Sequence, residues 1–174
     1  MGGSQGARLM SDIVPPAIAA LPEHIRRNIR VSHQARPEDI ERVTTYYDSE
    51  LIKADVQTFF DDVPRRMVDA QLVISRSGAS TVADVSVIGR PAIWVPYGGA
   101  IRDEQTANAR QLVAEGAAQI MQEADFEVAP LTEKLTSLLS DEAGMLKMAQ
   151  AATACGVPDA TDRLVALVAE LAGQ

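Results

Sequence analysis

The order of local sequence patterns constrains the fold most strongly, because strand-like and helix-like segments alternate along the chain. Short apolar runs typical of strands occupy residues 28–33, 54–59, 71–75, 92–95 and 117–121. Segments with helical spacing or helix-start signals occupy residues 5–21, 37–47, 63–69, 80–88 and 104–115, and the pattern after Met121 is also helical. This alternation predicts an α/β fold, a doubly wound, Rossmann-like parallel sheet with helices on both faces.

One expected element is missing from the beginning of this pattern. In a doubly wound sheet, a glycine-rich loop that leads into a helix follows the first strand, whereas here such a loop, GGSQGA at residues 2–7, follows Met1 directly. We therefore expect the first strand to be missing. The chain is then either a fragment or truncated reading frame, or a polypeptide whose partner supplies the strand. No repeat or linker interrupts the pattern, so we expect residues 1–174 to form one domain.

Composition excludes several classes of function. The chain has 24 acidic and 16 basic side chains and a formal net charge of −8, which argues against nucleic-acid binding because phosphate contacts need surplus Lys and Arg. No apolar run approaches the ~18 residues of a membrane span, and no signal-peptide pattern is present, so we expect a soluble protein. One cysteine, Cys155, and two histidines provide neither a disulfide nor a zinc cluster. A reducing, cytoplasmic setting fits best.

Two glycine- and serine-containing loops are candidates for binding an anion, because ligands of open parallel sheets bind at the carboxyl ends of the strands. The loop at residues 2–7 brings backbone N–H groups and the Ser4 hydroxyl to a helix start; a tight turn without ligand is the alternative. The loop at residues 75–81 brings several hydroxyls and a glycine to another helix start, which suits a diphosphate. The alternative is that Ser77 or Ser80 is only an N-cap.

Two further polar positions suit the sugars of a nucleotide. Asp84 follows Ser80 by four residues and Thr81 by three, so the three side chains share a helix face, where the carboxylate can accept hydrogen bonds from a ribose diol. A solvated acid is the alternative. Glu104 and Gln105 begin the helix after the loop at residues 96–103, and an amide there can both donate to and accept from sugar hydroxyls. Ordinary surface polarity is the alternative.

The chemistry that these loops lack is also informative. Arg8 stands where a phosphate-binding loop of a nucleoside triphosphatase carries its Lys-Ser/Thr pair. No Ser-His-Asp order is visible, and the acidic residues lack metal-ligand spacing. The sequence therefore predicts a nucleoside diphosphate held by two helix N-termini, with no metal ion and no other cofactor.

Several motifs together resemble a known family. In chain order they are GGSQGAR (2–8), FDD (60–62), SRSGASTV (75–82), GRPAI (89–93), VPY (95–97) and QTANA (105–109), with GVPDA (156–160) before the last helix. They closely resemble the C-terminal half of the MurG family of N-acetylglucosaminyltransferases, and the resemblance covers nearly the whole chain.

This resemblance implies a two-domain transferase of the GT-B type. Its C-terminal domain would hold UDP-N-acetylglucosamine, while an N-terminal domain absent here would hold the lipid I acceptor, the catalytic base and the membrane-facing patch. The product would be lipid II for peptidoglycan, and thus for cell wall biogenesis, cell shape and cell division. The location would be cytoplasmic, at the inner face of the bacterial cell membrane. This chain alone would not catalyse transfer.

The resemblance also assigns substrate-binding residues. In chain order they are Gly3, Ser4, Gln5, Phe60, Ala79, Ser80, Thr81, Asp84, Glu104 and Gln105. Ser4 would contact the donor diphosphate from the first glycine loop, where Gly3 and Gln5 flank it. Ala79, Ser80 and Thr81 would line the same phosphates from the second loop.

The remaining assignments cover the uridine and the sugar, and three of them depart from the family pattern. Asp84 would bind the ribose, but the family usually has Glu there, so this carboxylate is one methylene shorter. Phe60 would read the uracil edge through its backbone where the family often has an aliphatic residue. Gln105 would hold the hydroxyls of N-acetylglucosamine, beside Glu104, which replaces a second Gln or a His.

Two other hypotheses remain open at this point. One is a non-catalytic nucleotide-sugar-binding module that works only with a separate acceptor-domain chain, as in a split glycosyltransferase. The other is a related enzyme of the same architecture, a nucleotide-sugar epimerase or another UDP-sugar transferase. The GGSQGAR and QTANA motifs favour the first assignment over this last one.

Overall fold

A computed structural model describes residue 2 and residues 7–99 and 103–173. The strands are Arg30–Gln34 (β1), Lys53–Gln57 (β2), Val73–Ser75 (β3), Ala92–Trp94 (β4) and Ala118–Ile120 (β5). The helices are Arg8–Ala19 (α1), Glu23–Arg26 (α2), Ile40–Ser49 (α3), Val63–Asp69 (α4), Ala79–Ile88 (α5), Glu104–Ala114 (α6), Val128–Ser140 (α7), Glu142–Cys155 (α8) and Ala160–Leu171 (α9). Two short 3₁₀ turns cover Pro37–Asp39 and Glu123–Asp125. No helix in these ranges is long and apolar enough to cross a membrane.

The predicted α/β class with parallel strands is confirmed. Every strand pair in the described part of the chain is parallel, and helices lie on the crossovers between consecutive strands. These strands form two sheets, however, with orders β1-β2 and β3-β4-β5, rather than one continuous sheet. The short helix α2 was not predicted, since four residues are too few to show a helical period.

Helices cover both faces of the three-stranded sheet. Successive side chains of β4 point to opposite faces, so each face packs against a different pair of helices. Ile93 and Val95 belong to a core cluster with residues of α1 and α7, whereas Ala92 and Trp94 belong to a second cluster with residues of α5 and α6. All four side chains are fully buried. The apolar run at residues 92–95 therefore indicates a strand covered on both sides.

The same alternation places helices on both faces of β1. His33 points toward α1 and α3, where its Nε2 lies 3.3 Å from Ser11 Oγ and its Nδ1 lies 3.1 Å from the Tyr47 hydroxyl. Ser32 points the other way and accepts a 3.0 Å hydrogen bond from Arg66 Nη1 of α4. Burial lowers the pKa of His33 to about 4, with a further contribution from the positive charge of Arg42, so the buried imidazole is neutral.

Gly89 ends α5 as the sequence predicts. Its φ of +75° lies in the left-handed region that glycine adopts without strain. A β-carbon at this position would lie 2.1 Å from Thr153 Oγ1 of α8, so the glycine also allows α8 to approach the end of α5.

Candidate functional site

The carboxyl ends of β3, β4 and β5 lie at one edge of their sheet, and hydrogen bonds connect the loops that leave it. Asn108 Nδ2 of α6 donates a 3.0 Å bond to the carbonyl of Ser77, in the loop after β3. Gln105 Oε1, also on α6, accepts a 3.0 Å bond from the backbone N–H of Tyr97, in the loop after β4. The start of α6 is therefore fixed against both loops. Gln105 retains its Nε2 group as a possible donor to a ligand.

The start of α5 presents its first backbone N–H groups without a cap from any side chain that the structure describes. Gly78 is the N-cap residue, and neither Ser77 nor Ser80 caps the helix, so the N-cap alternative for these serines is wrong. Among the residues that the structure describes, no atom lies within 4 Å of the position that a β-carbon would take at Gly78. The uncapped N–H groups and the dipole of this ten-residue helix favour an anion at this position.

Ser77 adds an unusual buried hydroxyl beside this helix start. Its side chain is fully buried, and its Oγ has no hydrogen-bond partner among the described residues. A buried hydroxyl without a partner carries a desolvation cost, which a ligand oxygen at the start of α5 would offset. The sequence places Ser77 among the loop hydroxyls that suit a diphosphate, with an N-cap as the alternative, but it does not predict that this hydroxyl is buried.

The predicted spacing of the α5 side chains is observed. Ala79, Ser80 and Asp84 are exposed and Thr81 is half-buried. All four lie on α5, with Asp84 one turn beyond Ser80. The structure therefore brings together the four α5 residues of the predicted set. Their roles toward a ligand stay predictions.

Arg76 and Glu123 form a contact that sequence reasoning missed. Arg76 Nη1 donates 3.0 Å bonds to the carbonyls of Val95 and Pro96, and its Nη2 forms an ion pair with Glu123. Glu123 also accepts a 2.9 Å bond from the backbone N–H of Gly98. The position of Arg76 within the serine-rich loop was the available signal, whereas nothing near Glu123 indicates that it meets this loop.

Phe60 stands apart from this group, beyond the carboxyl end of β2 in the other sheet. Its ring is buried, and Arg66 Cζ lies 4.0 Å from the ring centroid. Arg66 in turn pairs with Asp62 at 2.6 Å and with Asp55 at 2.7 Å. The hydrogen bond from Arg66 holds the pKa of the Asp62 carboxyl below its usual range. In the described ranges, no hydrogen bond joins Phe60 to α5 or α6.

The glycine loop before α1 is described only in part. Gly3, Ser4 and Gln5 lie outside the described residues. Gly2 is described, and its backbone N–H donates a 3.2 Å bond to Gln34 Oε1 at the carboxyl end of β1. Glu104 is exposed in the first turn of α6. No group of three or more His, Cys, Asp or Glu suited to a metal ion occurs in the described part of the chain.

A parallel α/β fold with an uncapped helix start at the carboxyl edge of its sheet defines a Rossmann-like protein, a class that binds ligands at this edge. Residues 1–164 match the model of the glycosyltransferase family 28 C-terminal domain. The chain belongs to this glycosyltransferase family.

Relatives in three organisms support this assignment. The chain is 46% identical over 98% of its length to a Paramagnetospirillum magneticum protein and 48% identical over 99% to a Methylobacterium nodulans protein. Both carry the name UDP-N-acetylglucosamine--N-acetylmuramyl-(pentapeptide) pyrophosphoryl-undecaprenol N-acetylglucosamine transferase. The crystal structure of Acinetobacter baumannii MurG superposes with a TM-score of 0.86 at 30% identity, over 98% of this chain and 50% of that one.

These matches confirm the resemblance to the C-terminal half of the MurG family. The chain spans about half the length of its relatives, since the alignments cover 46% and 47% of the Paramagnetospirillum and Methylobacterium proteins.

Proposed function

We propose that residues 1–174 form the donor-binding domain of an N-acetylglucosaminyltransferase that uses UDP-N-acetylglucosamine and converts lipid I to lipid II. The observation that carries this proposal is the start of α5, which within the described ranges has no side-chain cap and no atom in front of Gly78, and which lies beside a buried Ser77 hydroxyl without a described partner. The names of the relatives favour this substrate over the other ligands that such a helix start could bind.

The donor would bind at the carboxyl edge of the sheet, between the start of α5 and the glycine loop that leads into α1. The backbone N–H groups of Ala79, Ser80 and Thr81 and the hydroxyls of Ser80 and Thr81 would hold the diphosphate. Ser4, between Gly3 and Gln5 in the sequence, would contact it as well.

The ribose, the uracil and the sugar of the donor would contact other residues. Asp84 would accept hydrogen bonds from the ribose, and the backbone of Phe60 would meet the uracil. Gln105 is held by Tyr97 through Oε1 and would donate through Nε2 to a hydroxyl of the sugar, with Glu104 beside it.

The reaction assigned to the family divides between this chain and the rest of the protein. The bond between the anomeric carbon and the UDP oxygen breaks, and the new bond forms to an acceptor hydroxyl whose proton passes to a base in the other domain. Backbone N–H groups at the start of α5 would stabilise the negative charge that develops on the leaving UDP. The acceptor site and the contact with the cytoplasmic face of the membrane would also belong to the other domain.

The test is a calorimetric titration of the folded chain with UDP and with UDP-N-acetylglucosamine, each in EDTA and in magnesium. We expect affinities between roughly micromolar and millimolar, equivalent to about 4–8 kcal/mol. The affinity should be the same in both buffers, because helix N–H groups offset the phosphate charge. A strict need for magnesium would contradict this view of the phosphate site, and no binding to folded protein would refute the proposal.

Asp84 variants separate the ribose contact from general effects of charge. Asp84→Ala should weaken UDP binding by about 1–3 kcal/mol, the range for losing a charged hydrogen-bond partner, whereas Asp84→Glu should bind UDP at least as tightly as the unchanged chain. Asp162→Ala removes an exposed acid in the first turn of α9 and serves as the matched control. Equal binding by Asp84→Ala and Asp162→Ala would show that Asp84 does not hold the ribose.

A further inference from the structure

The side chain of Gln34, the last residue of β1, is buried and contacts two loops. Its Oε1 accepts a 3.2 Å bond from the backbone N–H of Gly2, in the glycine loop. Its Nε2 donates a 3.2 Å bond to the carbonyl of Thr58, directly after β2. One amide group therefore joins the glycine loop to the loop that follows β2.

The two backbone partners fix the orientation of this amide. A backbone N–H only donates and a carbonyl only accepts, so an exchange of Oε1 and Nε2 would oppose like groups at both contacts. Asn carries the same group on a side chain one methylene shorter, and ionised Glu accepts without donating. Because a buried polar group left without its partner is costly, the two bonds restrain both loops at once.

The loop after β2 has few other polar restraints. In the described ranges, the bond from Gln34 is the only hydrogen bond to the backbone of residues 58–60. The ring of Phe60 is buried, with Arg66 Cζ 4.0 Å from its centroid, and Arg66 pairs with Asp62. Gln34 therefore holds the beginning of this segment, and the buried Phe60 ring holds its end.

The proposed function assigns different parts of one ligand to these two loops. Ser4, in the glycine loop, would contact the diphosphate, and the backbone of Phe60 would meet the uracil. Uracil presents a carbonyl acceptor where cytosine presents an amino donor, so backbone groups that pair with uracil oppose like groups on cytosine. This selection requires that the Phe60 backbone keep a fixed distance from the phosphates.

We propose that Gln34 is a positioning residue that sets the distance between the diphosphate-binding and uracil-binding parts of the donor site. It acts through Gly2 and Thr58 and makes no contact with the donor. Its consequence is a preference for uracil over cytosine in the bound nucleotide. This inference rests on the proposed function, and its test distinguishes failure of the one from failure of the other.

The test is a calorimetric titration of the folded chain and its variants with UDP and with CDP. The unchanged chain should bind UDP about tenfold or more tightly than CDP, because CDP leaves backbone groups near Phe60 unpaired. Gln34→Leu removes both bonds at similar volume and should reduce this preference to about threefold or less. Gln34→Glu keeps an acceptor for the Gly2 N–H but sets a carboxylate oxygen against the Thr58 carbonyl, so it should reduce the preference as well.

The ratio of the two affinities is the decisive readout. A variant that is only partly folded binds both nucleotides more weakly by the same factor, so a purely structural role of Gln34 leaves the ratio unchanged. Circular dichroism establishes which variants fold, and Gln34→Glu serves as the second variant if Gln34→Leu does not.

Gln57 provides the matched control, because it is the register partner of Gln34 on β2 and is exposed. Among the described residues, its side-chain amide contacts only Asp55. Gln57→Leu and Gln57→Glu should keep the full preference for UDP.

Three results would count against the inference in different ways. An unchanged ratio in the Gln34 variants would overturn it and leave the donor-binding proposal in place. Equal affinity of the unchanged chain for UDP and CDP would also overturn it, since no selection for uracil would then exist. Absence of UDP binding by the folded, unchanged chain would refute the proposed function and this inference together.

Discussion

The two sheets of this chain share a strand–helix pattern but differ in how completely they are buried. In the three-stranded sheet, every residue of β4 is fully buried. In the two-stranded sheet, β2 has no buried residue and β1 buries only His33 and Gln34. The difference teaches that parallel strands become apolar throughout only where they have strands on both sides and helices on both faces. The two-stranded sheet relies more on polar contacts.

Alanine substitutions at Trp94 and Val31 give the strongest test of this difference in burial between the two sheets. Trp94→Ala removes a fully buried side chain from β4 and should lower the free energy of unfolding by about 3–5 kcal/mol. Val31→Ala removes a half-buried side chain from β1 and should cost about 1 kcal/mol. Urea unfolding followed by circular dichroism measures both. Trp94→Phe, which keeps most of the volume, should fall between them, and equal losses for Trp94→Ala and Val31→Ala would contradict the comparison.

Acid should destabilise the two-stranded sheet through His33. The unfolded chain takes up a proton on this residue near pH 6.5, whereas the folded chain does so only near pH 4. The stabilisation is therefore complete above pH 6.5 and is lost as the pH falls toward 4, by about 3 kcal/mol. The measurement is the unfolding free energy at several pH values. His33→Gln should flatten the dependence of the unfolding free energy on pH. His24→Gln, which changes the exposed second histidine, should leave that dependence unchanged. The same slope in both variants would show that other groups cause it.

Arg76 should contribute to stability at the edge of the three-stranded sheet. Arg76→Met loses two carbonyl contacts and leaves Glu123 without its cation, so we expect a loss of about 2 kcal/mol in unfolding free energy. UDP affinity should fall as well, because the start of the loop after β4 loses its hydrogen bonds from Arg76 to the carbonyls of Val95 and Pro96. The control is Arg163→Met, which removes an exposed pair with Asp159 and should cost at most a few tenths of a kcal/mol. Similar losses for the two variants would mean that the contacts of the buried Arg76 stabilise the fold no more than an exposed ion pair does.

Arg66 offers the corresponding test in the two-stranded sheet, with the smallest expected effect. Its pairs with Asp55 and Asp62 are half-exposed, so Arg66→Met should cost only about 0.5–1 kcal/mol. Moderate salt should reduce this difference, since exposed charges are screened. Thermal melts of both proteins with and without added salt test the prediction. A loss from Arg66→Met that exceeds the loss from Arg76→Met would reverse the ranking of the two sheets.

Much of the fold could be predicted because it depends on local signals. The helix over residues 63–69 has the predicted bounds, and Gly89 ends α5 where the sequence places a helix stop. The strand predicted over residues 54–59 ends earlier, at Gln57, because the apolar Phe59 extends the pattern although it lies in the following loop. The division into two sheets depends on pairing between distant strands, which periodicity does not encode.

The candidate site also contains some features that the sequence predicts and others that only the folded chain shows. Ser80, Thr81 and Asp84 are neighbours because a helix fixes their spacing, and this is readable from the sequence. The contact between Arg76 and Glu123 spans 47 residues, so only the folded chain brings them together. The buried hydroxyl of Ser77 likewise follows from packing, since the sequence shows a serine but not whether a partner lies beside it.

The burial of Trp94 gives the chain an intrinsic optical reporter. It is the only tryptophan in the sequence, and its indole N–H meets no hydrogen-bond partner among the described residues. Its fluorescence should therefore arise from the apolar cluster between the three-stranded sheet and helices α5 and α6. Opening of that sheet exposes the indole to water and moves its emission to longer wavelengths, whereas fraying of β1 and β2 alone leaves the emission unchanged. The emission of Trp94 should thus follow the opening of the three-stranded sheet separately from any change in the two-stranded one.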